Sequence, residues 1–243
     1  MRIKFCFILL ALAGSVQAAG TDGVDRQLAT DDARSGANPM AWRYRLLQTA
    51  QDVFEERAAA QAPGAALSFR LPKVDPAQAG SQVEIVRADK RIPLPMDSNV
   101  SFALVADAQA AQDDAMVVVN RNFRKGHVNH PLVQVRSPGL PEGVKRMGDL
   151  RLACEAQIAM AKAEGLKFRA MLVTASLFGL DVCDKLEVND IDAPPGPYDT
   201  VTIEEGGRRL VQLATQENLT RLSDKDWSDN ARISYTFNGQ AVQ

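Results

Sequence analysis

The sequence predicts an α+β protein: a mainly antiparallel sheet or sandwich with two amphipathic helices packed on it and one disulfide. Three observations carry that prediction. Short apolar runs that alternate with polar residues recur along the chain and are separated by Pro, Gly, Asp and Asn, the pattern of strands joined by tight turns. Two longer segments, 39–60 and 149–164, place their apolar residues at helical spacing instead. A secretory signal at the N-terminus removes one cysteine of three and leaves an even pair, Cys154 and Cys183, for an oxidising compartment.

Composition sets outer limits. With 243 residues, 46% hydrophobic and 24% charged, the chain can bury a real core, which excludes disordered and fibrous classes. Its 28 Lys and Arg face 30 Asp and Glu. No basic excess is available to neutralise phosphates, so no nucleic-acid partner is expected.

Residues 1–18 read MRIKFCFILLALAGSVQA. Arg2 and Lys4 form a basic start, residues 5–13 an apolar run, and Val16-Gln17-Ala18 a small-x-small cleavage site, the layout of a signal peptide. The run is short of the roughly 20 residues that span a bilayer. No Cys follows the cleavage site for lipid attachment, and no later stretch is long and apolar enough to be a span, so no membrane span is expected in the mature chain. Cleavage would leave 225 residues with 26 bases against 30 acids. The expected address is periplasmic or secreted.

Residues 19–37 are small, polar and acidic, and read as a flexible leader; residues 38–243 read as a single α+β domain with a sub-boundary near 193–197. Asn38 is a good N-cap and Pro39 suits the first helical position, so the first helix is expected to start there, with Trp42, Leu46, Ala50, Val53 and Phe54 on its apolar face. Pro63-Gly64 ends it. Strands follow at 67–71, 83–86, 91–95, 100–106 and 116–120. Pro93 and Pro95 allow the third of these to be only an edge or an irregular strand, and the polar link 107–114 has room for one helical turn. A strand at 132–135 precedes the breakers Pro138-Gly139 and Pro141-x-Gly143. The second helix starts at Gly148 or Asp149, carries Leu150, Ala153, Cys154, Ile158 and Ala161 on one face, and stops at Gly165. A central strand is expected at 168–177. After the rigid link at 193–197, runs at 200–204 and 208–214 flank Gly206-Gly207, a strong two-residue hairpin signal. The chain closes on a strand at 231–237, and no fixed-period repeat is visible.

The chemistry-bearing residues are few. The two histidines, His127 and His130, lie three apart, but a metal site needs further ligands and the neighbouring cations oppose one. No metal and no cofactor is expected. Asp224, Asp226 and Asp229 imitate the opening of a calcium loop, which then lacks its Gly and its closing Glu. No nucleophile elbow, Ser-x-x-Lys or zinc-protease motif occurs. The sequence favours instead a basic segment, Arg121, Arg124, Lys125, His127, His130 and Arg136, as the candidate ligand-binding surface of a net-acidic protein.

Residues 83–104 (VEIVRADKRIPLPMDSNVSFAL) are similar to the edge hairpins of transthyretin-like and peptidase-regulatory β-sandwich modules. The resemblance covers this segment alone and implies no functional residue. The expected function is therefore that of an exported, non-catalytic binding or accessory protein of the cell envelope, with an envelope protein or an anionic ligand as partner. The competing expectations are an envelope hydrolase using His127 or His130, and a structural subunit associating through Trp42 and its helix, where Trp42 and Tyr44 could anchor an interface.

Overall fold

The computed structural model describes residues 39–71, 80–88, 90–122, 130–164, 182–191, 193–194, 196–216 and 218–242. The expected signal segment at 1–18, the expected leader at 19–37 and the expected strand at 168–177 lie outside them. The architecture is α+β, with antiparallel strands in three sheets and one disulfide. Among the described residues no helix is long and apolar enough to cross a membrane.

The first sheet contains β1 (Pro39–Arg43), β6 (Met116–Asn122), β3 (Val83–Val86) and β4 (Arg91–Leu94), in the order β1-β6-β3-β4. Strand β6 carries the unbroken run Val117, Val118 and Val119, all buried, as a central strand covered on both faces should. The proline-bearing β4 takes the edge, where a missing N–H breaks no ladder.

Strand β1 overturns the expected helix start. Residues 39–43 extend rather than coil, and pair with β6 from Arg43↔Met116 to Met40↔Val119. Met40 and Trp42 alternate into the core while Arg43 stays exposed. Pairing with a valine-rich strand and burying an indole together outweigh one capping side chain. The helix α1 (Tyr44–Gln61) then begins on Arg43, whose side chain makes no capping bond. Its first amide, Tyr44 N–H, donates instead to the Ala115 carbonyl at 2.7 Å. Trp42 and Tyr44 are 4% and 2% exposed, so neither can anchor an interface as expected. The Tyr44 hydroxyl donates to the Val105 carbonyl and accepts from the Asp107 amide, both at 2.9 Å. Asp107 in turn caps the short helix α2 (Ala108–Gln112) by accepting from Ala110 N–H.

The second sheet orders β5 (Ser101–Phe102), β2 (Ala66–Arg70) and β7 (Leu132–Arg136) as β5-β2-β7. The Phe69 and Phe102 rings stack 5.6 Å apart on its buried face. The third sheet orders β10 (Arg208–Leu213), β9 (Thr200–Glu205), β11 (Arg232–Phe237) and β12 (Gln240–Ala241) in that sequence, with β8 (Lys145–Arg146) also paired to β11. Gly206 and Gly207 turn between β9 and β10 with φ of 57° and 83°, the doubly left-handed turn that the dipeptide predicts.

Helix α3 (Met147–Glu164) joins two hydrophobic clusters. Leu152, Ala153, Ala156 and Met160 pack into the cluster of the first two sheets. Met147, Leu150 and Cys154 pack into the cluster under the third sheet, with Val201, Ile203, Trp227 and Tyr235. The expected amphipathic helix is thus buried around most of its circumference, because it has a core on each side. Each of its large apolar side chains contributes roughly 2 kcal/mol by burial. The expected bridge Cys154–Cys183 is present, with Cα atoms 6.0 Å apart, and ties α3 to the short helix α4 (Val182–Lys185). Helix α3 also covers the free edge of β7: Gln157 accepts from Val133 N–H at 2.7 Å and Asp149 from Ser137 N–H at 3.0 Å.

Candidate functional site: a polar cleft beside the second sheet

Alternation in β2 and β7 sends Leu67, Phe69, Val133 and Val135 to the core. The opposite phase, Ser68, Arg70, Gln134 and Arg136, faces a cleft of about 970 Å³. The cleft's other walls are the turn preceding β5, the chain from Leu140 into β8, and Pro194, Tyr235 and Val242 from the side of the third sheet. Its size suits an organic ligand.

Three cations line it, Arg70, Arg136 and Lys145, together with three acids, Asp97, Glu142 and Asp149. Two of the acids are engaged by the protein's own donors. The Asp97 Oδ1 accepts from the amides of Asn99 and Ser101 at 2.9 and 2.8 Å, closing a tight turn. Asp149, buried in the first turn of α3, accepts from Ser137 N–H and from Ser137 Oγ–H at 3.0 and 2.7 Å, and that hydroxyl oxygen accepts from Arg146 Nη1 at 2.9 Å. The positive end of the helix dipole also favours a carboxylate there. Arg136 donates through Nη2 to the carbonyls of Leu140 and Pro141, which orients its planar fork along the cleft wall.

The turn at 97–101 is strained. Val100 has φ of 60°, in the left-handed region where a β-branched residue is an outlier. Its N–H donates to the Asp97 carbonyl at 3.2 Å, and its own carbonyl accepts from Leu71 N–H at 3.0 Å, so bonds on both sides hold it there. Such backbone stores roughly 1–3 kcal/mol and gathers at functional sites. Val100 also lines the cleft.

Of the residues predicted from the sequence, Arg136 is the one the structure puts on this wall. His130 precedes β7 and Arg136 ends it, about 20 Å away along extended chain. The His130 Nε2 lies 2.8 Å from a Glu164 carboxylate oxygen at the end of α3. Arg121 falls on β6, while Arg124, Lys125 and His127 lie outside the described residues. Arg70 and Lys145 carry no motif; Arg70 lies opposite Leu132, at the other end of β7 from Arg136, and Lys145 is held by pairing with β11, so the three share the lining of one cleft rather than direct contact. The polar phase of the 67–71 alternation is the one signal that could have pointed to Arg70.

The calcium-like segment holds an organic cation of the chain itself. Arg151 donates through Nη1 to Asp229 Oδ1 at 2.6 Å, and through Nε and Nη2 to the carbonyls of Leu222, Asp224 and Trp227. Among the described residues no group of three or more His, Cys, Asp or Glu could hold a metal ion. Comparison with protein-family models, with curated proteins and with solved structures gives no match.

Proposed function

We propose that the protein is exported and acts in the periplasm or outside the cell as a non-catalytic binding or accessory protein of the envelope, holding an anionic ligand in the cleft beside the second sheet. The observation that carries this reading is that Arg70, Arg136 and Lys145 all line one cleft, where two of the three acids, Asp97 and Asp149, are already engaged by the chain's own donors. Guanidinium groups bind carboxylate and phosphate through paired, charge-assisted hydrogen bonds, and a concave wall strengthens them. The basic start and apolar run of residues 1–18 and the Cys154–Cys183 bond support the exported address.

Calorimetric titration with inorganic phosphate and with citrate tests the reading. Saturable binding of either anion is expected, weakened about tenfold or more by Arg136→Ala, an exchange that removes one charge-assisted pair of roughly 1.5–3 kcal/mol. Arg43→Ala, on the first sheet and not among the residues that line the cleft, should leave the affinity unchanged. Absence of saturable binding to both anions, or equal affinity in the Arg136 variant, contradicts the proposal.

A further inference from the structure

From the exposed edge of the third sheet we infer that β10 is a self-association site, pairing antiparallel with β10 of a second copy of this chain. Strand β10 ends its sheet among the described residues, with β9 as its partner on one side. Among the described residues six large apolar side chains are exposed, and three of them sit in this one strand: Leu210 at 37%, Val211 at 51% and Leu213 at 59%. Proline and bulges commonly keep a sheet edge from pairing, and β10 has neither: its register to β9 is unbroken from Arg208↔Glu205 to Leu213↔Thr200. Its two charges sit together at the turn end and are engaged within the chain, Arg208 over the Trp227 ring and Arg209 against Glu204.

The direction of the backbone groups follows from the hairpin. Residues flanking a two-residue turn form a hydrogen-bonded pair, so Arg208, Leu210 and Gln212 point their amides at β9. Ala214, in the same phase, confirms the direction by donating to the Asp199 carbonyl at 2.7 Å. Arg209, Val211 and Leu213 therefore direct their backbone groups outward. A twofold axis through Val211 sets Val211 opposite Val211 of the second copy, and Arg209 opposite its Leu213. The two Val211 residues exchange a pair of hydrogen bonds, and each Leu213 N–H donates to the Arg209 carbonyl across the axis. The Leu213 carbonyl already accepts from Gln216 N–H within its own chain.

Side chains agree with this register. Val211 and Leu213 of both copies gather on one face. Each Arg209 meets an apolar Leu213 rather than a like charge, and its own charge is matched within the chain by Glu204 at 3.0 Å. Gln212 stays buried and holds the amide and hydroxyl of Thr220, so pairing requires no rearrangement behind the edge. A single strand pair buries less than the roughly 1,000 Å² typical of a stable interface, so the dimer forms reversibly with concentration.

Cysteine cross-linking of the full chain in a Cys6→Ser background, with the Cys154–Cys183 bond intact, tests the register. In a hydrogen-bonded antiparallel pair opposite Cα atoms lie about 5.5 Å apart, within disulfide reach, so Val211→Cys should give a covalent dimer under mild oxidation. Arg209→Cys, equally accessible, places its Cα atoms about 14 Å apart and should cross-link at least tenfold more slowly. Val211→Asp, which sets like charges face to face, should abolish the concentration-dependent rise in mass seen by sedimentation equilibrium. Equal cross-linking at both positions overturns the inference. So does a monomer at every concentration, which would assign the edge to a strand from a different protein.

Discussion

The junction between α1 and α3 offers a sharp test of the packing. A Cβ added at Gly148 would lie 2.2 Å from the Gln61 carbonyl oxygen and 2.8 Å from Asp229 Cβ. The first of these is backbone at the end of a helix, which cannot swing aside. The second belongs to the carboxylate that Arg151 holds. Relieving both contacts means moving α3 against α1, an overpacking cost of about 1–3 kcal/mol. The shift also weakens the hydrogen bond from Gly148 N–H to the Asp229 carbonyl, now 3.1 Å, at about 1 kcal/mol. Alanine recovers up to about 1 kcal/mol through its better helix propensity. Gly148→Ala should therefore destabilise the fold by about 2 kcal/mol, a fall in Tm of roughly 4–8 °C for a domain of this size. Urea unfolding should show a lower midpoint with an unchanged slope. A variant as stable as the parent would refute the close approach of the two helices.

Three further outcomes are expected. Reducing Cys154–Cys183, which closes a loop of sequence separation 29, should cost about 3.5 kcal/mol on the chain-entropy model; thermal unfolding with and without reductant checks this, and coincident curves would contradict it. Val100→Gly should change stability by less than about 1 kcal/mol in chemical denaturation, because relief of the left-handed strain offsets the lost side-chain packing; a loss above about 2 kcal/mol would show that the turn is not strained. The hydroxyl and the amide of Ser228 donate to Glu205 and hold its carboxyl below the usual 4.5. That contribution is complete above pH 4.5 and is lost as pH falls through the lowered folded value, so Glu205→Gln should flatten the acid limb of Tm against pH, and an unaltered limb would contradict the assignment.

Much of the sheet architecture is legible in the sequence because strands and tight turns are local. Gly206-Gly207 marks its hairpin to the residue, Pro93 marks the edge strand, and residues 83–86 form a strand with the bounds their alternation predicts. Asn238-Gly239, with φ of 51° and 78°, is a turn of the same kind, yet β12 after it has two residues and shows no alternation to read. What the sequence conceals is pairwise and distant. Whether residues 39–43 coil or extend depends on β6, some 75 residues later, and local capping chemistry carries no information about it. The two-sided burial of α3 likewise depends on a second core assembled by residues beyond 182. The cleft is the extreme case. Arg70, Arg136 and Lys145 come from three elements, and only β2–β7 pairing and the return of the chain into β8 bring them to one cleft. Of these three, Arg136 alone stood in the basic segment that the sequence singles out.

Export from the reducing cytosol underlies both the disulfide and the proposed address, and its most direct measurement is the intact mass of the protein recovered from the extracytoplasmic fraction without reductant, with and without an alkylating reagent. The expected mass is that of residues 19–243 less two hydrogens, unchanged by alkylation because Cys154 and Cys183 are joined. Recovery from the cytosol of the full 243-residue chain with every cysteine alkylated would contradict it.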